Sequence, residues 1–184
     1  TDDQRRKFVS AFRLLPLDDG EVLLGTRNGI WRLTTNQAQI QATRYADVDD
    51  VRTMLRDRAG LLWLGGYATG LRRGDPRTAM RLVDGLPGGG GIRAVVEADR
   101  RWWLGFDGRH LLALDSTGNK RWVALPLPEG LSGPVPALAY DGKRTLFVGI
   151  ADAKVGVWRY DIDAGEFEPL AVRGDPSVTY GVRC

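Results

Sequence analysis

The sequence predicts an all-β fold, on three observations. A short apolar strand ending in glycine recurs four times along the 184 residues. Each recurrence is flanked by the same succession of apolar runs and turns. Helical spacing is weak throughout, and Pro or Gly interrupts most windows long enough for a helix.

The recurring strands are Val22-Leu23-Leu24-Gly25, Leu62-Trp63-Leu64-Gly65, Trp102-Trp103-Leu104-Gly105 and Leu146-Phe147-Val148-Gly149, with glycines 40, 40 and 44 residues apart. Two residues before each glycine stands a large apolar residue: Leu23, Trp63, Trp103 or Phe147. An apolar strand and a turn precede each one: Phe8 to Leu14 with Asp18-Asp19-Gly20, Val51 to Leu55 with Arg58-Ala59-Gly60, Ile92 to Val96 with Asp99-Arg100, and Ala137 to Tyr140 with Asp141-Gly142. Asp-Gly and similar pairs supply the positive φ angles of tight hairpins. A third strand follows each glycine, at Ile30 to Leu33, Leu71 to Arg73, Leu111 to Leu114 and Val157 to Tyr160. A more polar fourth strand follows at Gln39 to Tyr45, Ala79 to Val83, Lys120 to Leu125 and Glu166 to Val172.

Four antiparallel strands in a repeat of about forty residues is the pattern of a β-propeller blade. A lone four-stranded sheet has two apolar faces and cannot bury both. Stacked neighbours bury them, with the Trp and Leu of the second strand in the seam. The glycine lets the backbone pass close beside the next blade. The expected units are residues 8–46, 47–87, 88–131 and 132–175, with a further blade opening at 178–184. This is a partial propeller of four four-stranded blades plus one extra strand. A β-sandwich or an open meander is the alternative, but neither needs the same apolar-Gly run at near-equal spacings.

Composition agrees. The chain is 43% hydrophobic and 27% charged, enough to bury a core. Its 24 glycines and six tryptophans suit short strands and tight turns. A net charge of +3, with scattered basic residues and no basic–aromatic platform, argues against nucleic-acid binding. Cys184 is the single cysteine, so no internal disulfide forms. No apolar stretch reaches membrane-spanning length, and no signal peptide is legible. Thr1 is not an initiator methionine and the chain ends in a strand-like run, so a longer parent is expected.

The second unit carries a family resemblance. Arg56-Asp57-Arg58-Ala59-Gly60-Leu61-Leu62-Trp63-Leu64-Gly65-Gly66, followed by Thr69-Gly70-Leu71-Arg72-Arg73, resembles the two-component regulator propeller repeat. Gly25-Thr26-Arg27-Asn28-Gly29-Ile30-Trp31-Arg32-Leu33 matches its later half, and Trp103-Leu104-Gly105 its core. The fourth unit departs most, with Phe147-Val148-Gly149 and a longer loop after it. The resemblance implies the exported sensor part of a bacterial signalling protein. The output part would be a histidine kinase or diguanylate cyclase beyond a membrane helix, in a parent with more than four blades. It also implies a periplasmic location.

No catalytic constellation is legible. His110 is the single histidine and follows the Asp107-Gly108 turn, where an exposed turn histidine is the plainer reading. The propeller superfamily also resembles streptogramin lyases, which use a histidine and a metal, but no second histidine stands here. Gly88 to Gly91 lacks the Lys-Ser/Thr and helix of a P-loop. Asp47, Asp49 and Asp50 read as a solvated turn more readily than as a calcium loop. No cofactor and no metal are expected.

A ligand is expected on the face shared by the loops from fourth to first strands and from second to third strands. Its candidate residues are Arg52, Arg93, Asn28, Tyr67, Asp107, Arg109 and His110. Arg52 and Arg93 read as second residues of inner strands, placed to clamp a small polar or anionic ligand. Solvated rim arginines are the alternative. Three function classes follow: a ligand sensor, a protein–protein interaction platform and a lyase-like enzyme. Exposed blade faces would call for missing blades or self-association.

Overall fold

In the computed structural model the described residues are 10–36, 39–86, 90–107, 110–114, 121–151 and 156–170. They form sixteen strands in four antiparallel four-stranded sheets, and no helix occurs among them. Each sheet is a simple up-and-down meander. The chain divides into two compact units, residues 1–84 and 85–184, each holding two sheets.

In the first unit, β1 (Ala11–Pro16), β2 (Val22–Thr26), β3 (Gly29–Asn36) and β4 (Gln39–Ala46) make one sheet. The other holds β5 (Thr53–Arg56), β6 (Leu62–Gly66), β7 (Gly70–Asp75) and β8 (Ala79–Leu82). The inner strands β1 and β5 are neighbours. Period-two alternation sends Leu23 and Ile30 of the first sheet and Met54, Leu62 and Leu64 of the second into one shared core. Leu23, Ile30 and Met54 are completely buried.

The second unit repeats this plan with β9 (Ile92–Ala98), β10 (Arg101–Phe106), β11 (His110–Leu114) and β12 (Trp122–Pro126). These are followed by β13 (Ala137–Tyr140), β14 (Thr145–Gly149), β15 (Val157–Asp161) and β16 (Glu166–Pro169). The inner strands β9 and β13 are again neighbours. The seam holds Trp103 and Leu111 against Leu146, Val148 and Tyr160. The Trp103 and Tyr160 rings meet edge to face with centroids 5.4 Å apart.

The motif glycine has the role its position suggests. A Cβ on Gly25 would stand 2.8 Å from the carbonyl oxygen of Val51, and one on Gly105 would overlap that of Val135. The residue after the glycine then accepts a bond from the same valine: Val51 N–H donates to Thr26 O at 3.0 Å, and Val135 N–H to Phe106 O at 3.0 Å. Each unit therefore closes its seam with a backbone bond that only a missing side chain permits.

The hairpin turns follow local chemistry. Asp99 and Arg100 both take positive φ (49° and 58°), as a two-residue hairpin on right-twisted strands requires. Asp141 Oδ1 accepts the N–H groups of Lys143, Arg144 and Thr145 in the β13–β14 turn. Those bonds, that of Thr145 first, hold its carboxyl below the usual aspartate range.

Several elements differ from the sequence reading. Phe8 and Val9, Lys120, the last two residues of the expected fourth strand of the fourth unit, and Val178–Val182 lie outside the described residues. The third strand of the first unit runs to Asn36, well past Leu33. His110 is the first residue of β11, paired with Pro126, and not a turn residue. Arg52 precedes β5 and is not its second residue, because Asp50 takes φ 53° and delays the strand. Arg93 is the second residue of β9.

Candidate functional site

In the first unit, the loops joining β2–β3, β4–β5 and β6–β7 come together around Asp50. Asp50 N–H donates to Arg27 O at 2.8 Å. One carboxylate oxygen accepts the Tyr67 N–H at 2.7 Å, and the other accepts Arg52 Nε at 2.7 Å. This close approach needs Gly66: a Cβ there would overlap the Asp50 carbonyl oxygen. In the other three sheets the corresponding N–H, two residues after the motif glycine, donates to a backbone oxygen: Ser10, Gly91 or Pro134. The aspartate side chain is the local innovation of this loop.

Its consequence is to orient Arg52. The guanidinium carbon lies 3.7 Å from the Phe12 ring centroid and 4.6 Å from that of Tyr67. A cation held between two rings is attracted to both π faces. Nε is committed to Asp50, whereas the two terminal nitrogens make no hydrogen bond to the described residues. The Arg52 side chain keeps 21% of its surface exposed, so the fork reaches solvent. The arrangement can present two parallel N–H donors to a carboxylate, sulfate or phosphate.

Asn28 flanks this cluster in the β2–β3 turn, where its N–H donates to the Thr26 hydroxyl at 3.2 Å. That hydroxyl, fully buried, lies 2.8 Å from both Asn28 Oδ1 and Gly29 O. Tyr67 is exposed and packs a face on Arg52. In the second unit Arg93 Nε donates to Asp107 Oδ1, and Asp107 N–H donates to Gly91 O at 3.2 Å. Arg109 and the His110 side chain lie outside the described residues.

The structure thus brings together Arg52 and Tyr67 in one unit and Arg93 and Asp107 in the other, each arginine held by its own aspartate. Asp47, Asp49 and Asp50 do not converge. Asp47 pairs with Arg44 and is largely exposed, while Asp50 faces Arg52. Among the described residues no cluster of His, Cys, Asp and Glu could hold a metal ion.

Sequence reasoning missed a second polar centre. Asp57, 8% exposed, opens the β5–β6 turn. Its Oδ1 accepts Ala59 and Leu61 N–H at 2.9 and 3.0 Å. Its Oδ2 accepts Trp63 Nε1 at 3.1 Å and Arg73 Nε and Nη2 at 2.9 and 2.7 Å. Burial raises its pKa. The Arg73 bond, with those from Leu61 and Trp63, outweighs that and leaves the carboxyl below the usual range. Every oxygen lone-pair direction is occupied from within the sheet, so Asp57 is a structural centre. The signal available in the sequence is an aspartate six residues before a tryptophan and sixteen before an arginine.

The described sheets define the chain as β-propeller in class. No family model and no curated protein matches the sequence. Among solved structures it is similar to the extracellular domain of BT4673 from B. thetaiotaomicron, described both as a one component and as a hybrid two component system. That match has 20% identity, a TM-score of 0.68, and covers 88% of this chain and 22% of that one. The extracellular domain of BT3049 from the same organism, described as a hybrid two component system, matches at 13% identity and TM-score 0.63, over 91% and 22% of the two chains. YCF48 from Cyanidioschyzon merolae matches at 21% identity and TM-score 0.56, over 80% and 51%. The chain therefore spans about a fifth of the length of the first two, and the likeness is one of fold.

Proposed function

We propose that the chain is a ligand-sensing part of an extracytoplasmic propeller in a bacterial signalling receptor, of the histidine kinase or diguanylate cyclase type, and is not itself catalytic. The observation that carries the proposal is the Arg52 fork, oriented by Asp50 and by the Phe12 and Tyr67 rings. Such pre-orientation lowers the entropy lost on gripping a planar anion. Similarity to the extracellular domains of BT4673 and BT3049 supports the sensor setting and a periplasmic location. The parent would be membrane-anchored, and further blades or a second copy would cover its open sheet faces.

Calorimetric titration of the purified chain with sulfate, phosphate, succinate and glucuronate tests the binding step. We expect at least one of these anions to bind, and Arg52→Gln to weaken it about tenfold or more, the effect of losing a charge-assisted bidentate contact. Anion binding that is equally tight in Arg52→Gln, or absent for all four probes, would remove this reading.

A further inference from the structure

The two units close their seams differently. Aligned on the motif glycine, Trp103 of the second unit corresponds to Leu23 of the first. Within the second sheet of each unit, the third-strand partner of Leu146 is Tyr160, whereas the partner of the corresponding Leu62 is Gly74. On the inner strand, Tyr140 opposite Leu146 corresponds to Arg56 opposite Leu62. Three aromatic side chains that pack the second seam are thus a leucine, a glycine and an arginine in the first. The glycine is obligatory, because a Cβ on Gly74 would overlap the Ala79 carbonyl oxygen and its φ is 152°.

Leu23 and Leu62 are themselves buried, and the seam opens beside them. A cleft of about 290 Å³ lies between the two sheets of the first unit, with Leu23, Leu62 and Gly74 among its lining residues. That is close to the lower bound for small-molecule sites, about 300 Å³. Tyr45 and Arg56 also line it. The Tyr45 ring is braced by Arg77 at 5.3 Å, and its hydroxyl makes no hydrogen bond to the described residues. On the rim, Arg56 pairs with Asp18 at 2.5 Å and Arg77 with Asp75 at 3.0 Å, while Asp19 accepts the Glu21 N–H and adds a third carboxylate. Arg56 uses only Nη1 in that pair, and its other donors make no hydrogen bond to the described residues.

We propose that this cleft binds a small uncharged aromatic compound of one or two rings, in the place that aromatic side chains fill in the sister seam. The apolar floor favours a flat hydrocarbon surface. Arg56 offers a cation to its π face. Tyr45 and the spare Arg56 donors suit a hydroxyl or ring-nitrogen substituent. The excess of acid on the rim disfavours an anion, and the Arg56 guanidinium disfavours a cation beside it. This site lies apart from the Arg52 loops and does not depend on the sensor reading.

Indole and 4-methylphenol are the probes, followed by the methyl resonances of Leu23 and Leu62 in the purified chain. Saturable shifts in both leucines are expected, with cyclohexanol binding several-fold more weakly. Leu23→Trp and Arg56→Tyr each restore a side chain of the sister seam and should weaken indole about tenfold or more by occupying the cleft. Arg52→Gln should leave indole binding unchanged, which separates this site from anion binding. Should Leu23→Trp fail to fold, Arg56→Tyr at its half-exposed position carries the test. No saturable shift with either probe, or unchanged affinity in a folded Arg56→Tyr, would overturn the proposal.

Discussion

Asp57 shows how one side chain can organise a sheet. It satisfies two turn N–H groups, the indole N–H of buried Trp63 and the guanidinium of Arg73, which also lies 5.4 Å from the Trp63 ring. Asp57→Ala leaves the tryptophan donor and the arginine without their acceptor. Arg73 is substantially exposed, so the expected cost is about 2 kcal/mol, in the range for leaving a buried donor such as the Trp63 indole unsatisfied. The pH dependence follows from the lowered pKa. An unfolded aspartate titrates near 3.9, so the carboxylate's contribution is complete above that range and is lost as pH falls through the lower folded value. Urea unfolding between pH 7 and pH 2.5 checks both effects. Asp57→Asn should lose stability at pH 7 and show a flatter acid limb than the parent. An identical acid limb would mean that Asp57 does not titrate with folding.

At the scale of elements, the motif glycines set how near one sheet lies to the next. In the second unit, Gly105→Ala would drive a methyl group into the Val135 carbonyl, a backbone atom that cannot rotate away. The expected loss is about 2 kcal/mol, in the range for overpacked sites, read as a lower midpoint in urea with the slope unchanged. A wild-type midpoint would show that the seam is looser than described. These glycines were legible in the sequence because close approach leaves a mark in residue type: an apolar strand must end in Gly at each repeat. The strands were legible for the same reason, since alternation and turn pairs are local. The Arg52 cluster was legible only in part. Arg52 stands out in sequence, but its placement before β5 depends on Asp50 reaching the Tyr67 N–H seventeen residues on. The Asp57 centre depends likewise on hairpin register, which sets Arg73 opposite Trp63. The same register places Arg32 opposite Leu23 and Arg159 opposite Phe147. Each of these arginines pairs with an acidic residue: Arg32 with Glu21 and Arg159 with Glu168. The pattern of a seam residue beside a neutralised arginine was present in the third strands but could not be paired without the fold.

For the whole chain, the account rests on one packing rule used in both units: the residue two before the motif glycine enters the seam and meets the following sheet. The first unit fills that seam with Leu23 against Met54 and Leu64, and the second with Trp103 against Leu146 and Tyr160. The rule explains why a repeat of four thin sheets can bury a core, and why Leu23, Arg56 and Gly74, standing where the second unit has ring side chains, border a cleft in the first. Nuclear Overhauser contacts in the intact chain test it most directly. The account predicts cross-peaks from the Trp103 indole to the Tyr160 ring and from the Leu23 methyls to Met54. A Trp103 indole with no contact to β15, or Leu23 methyls with no contact to β5, would contradict it.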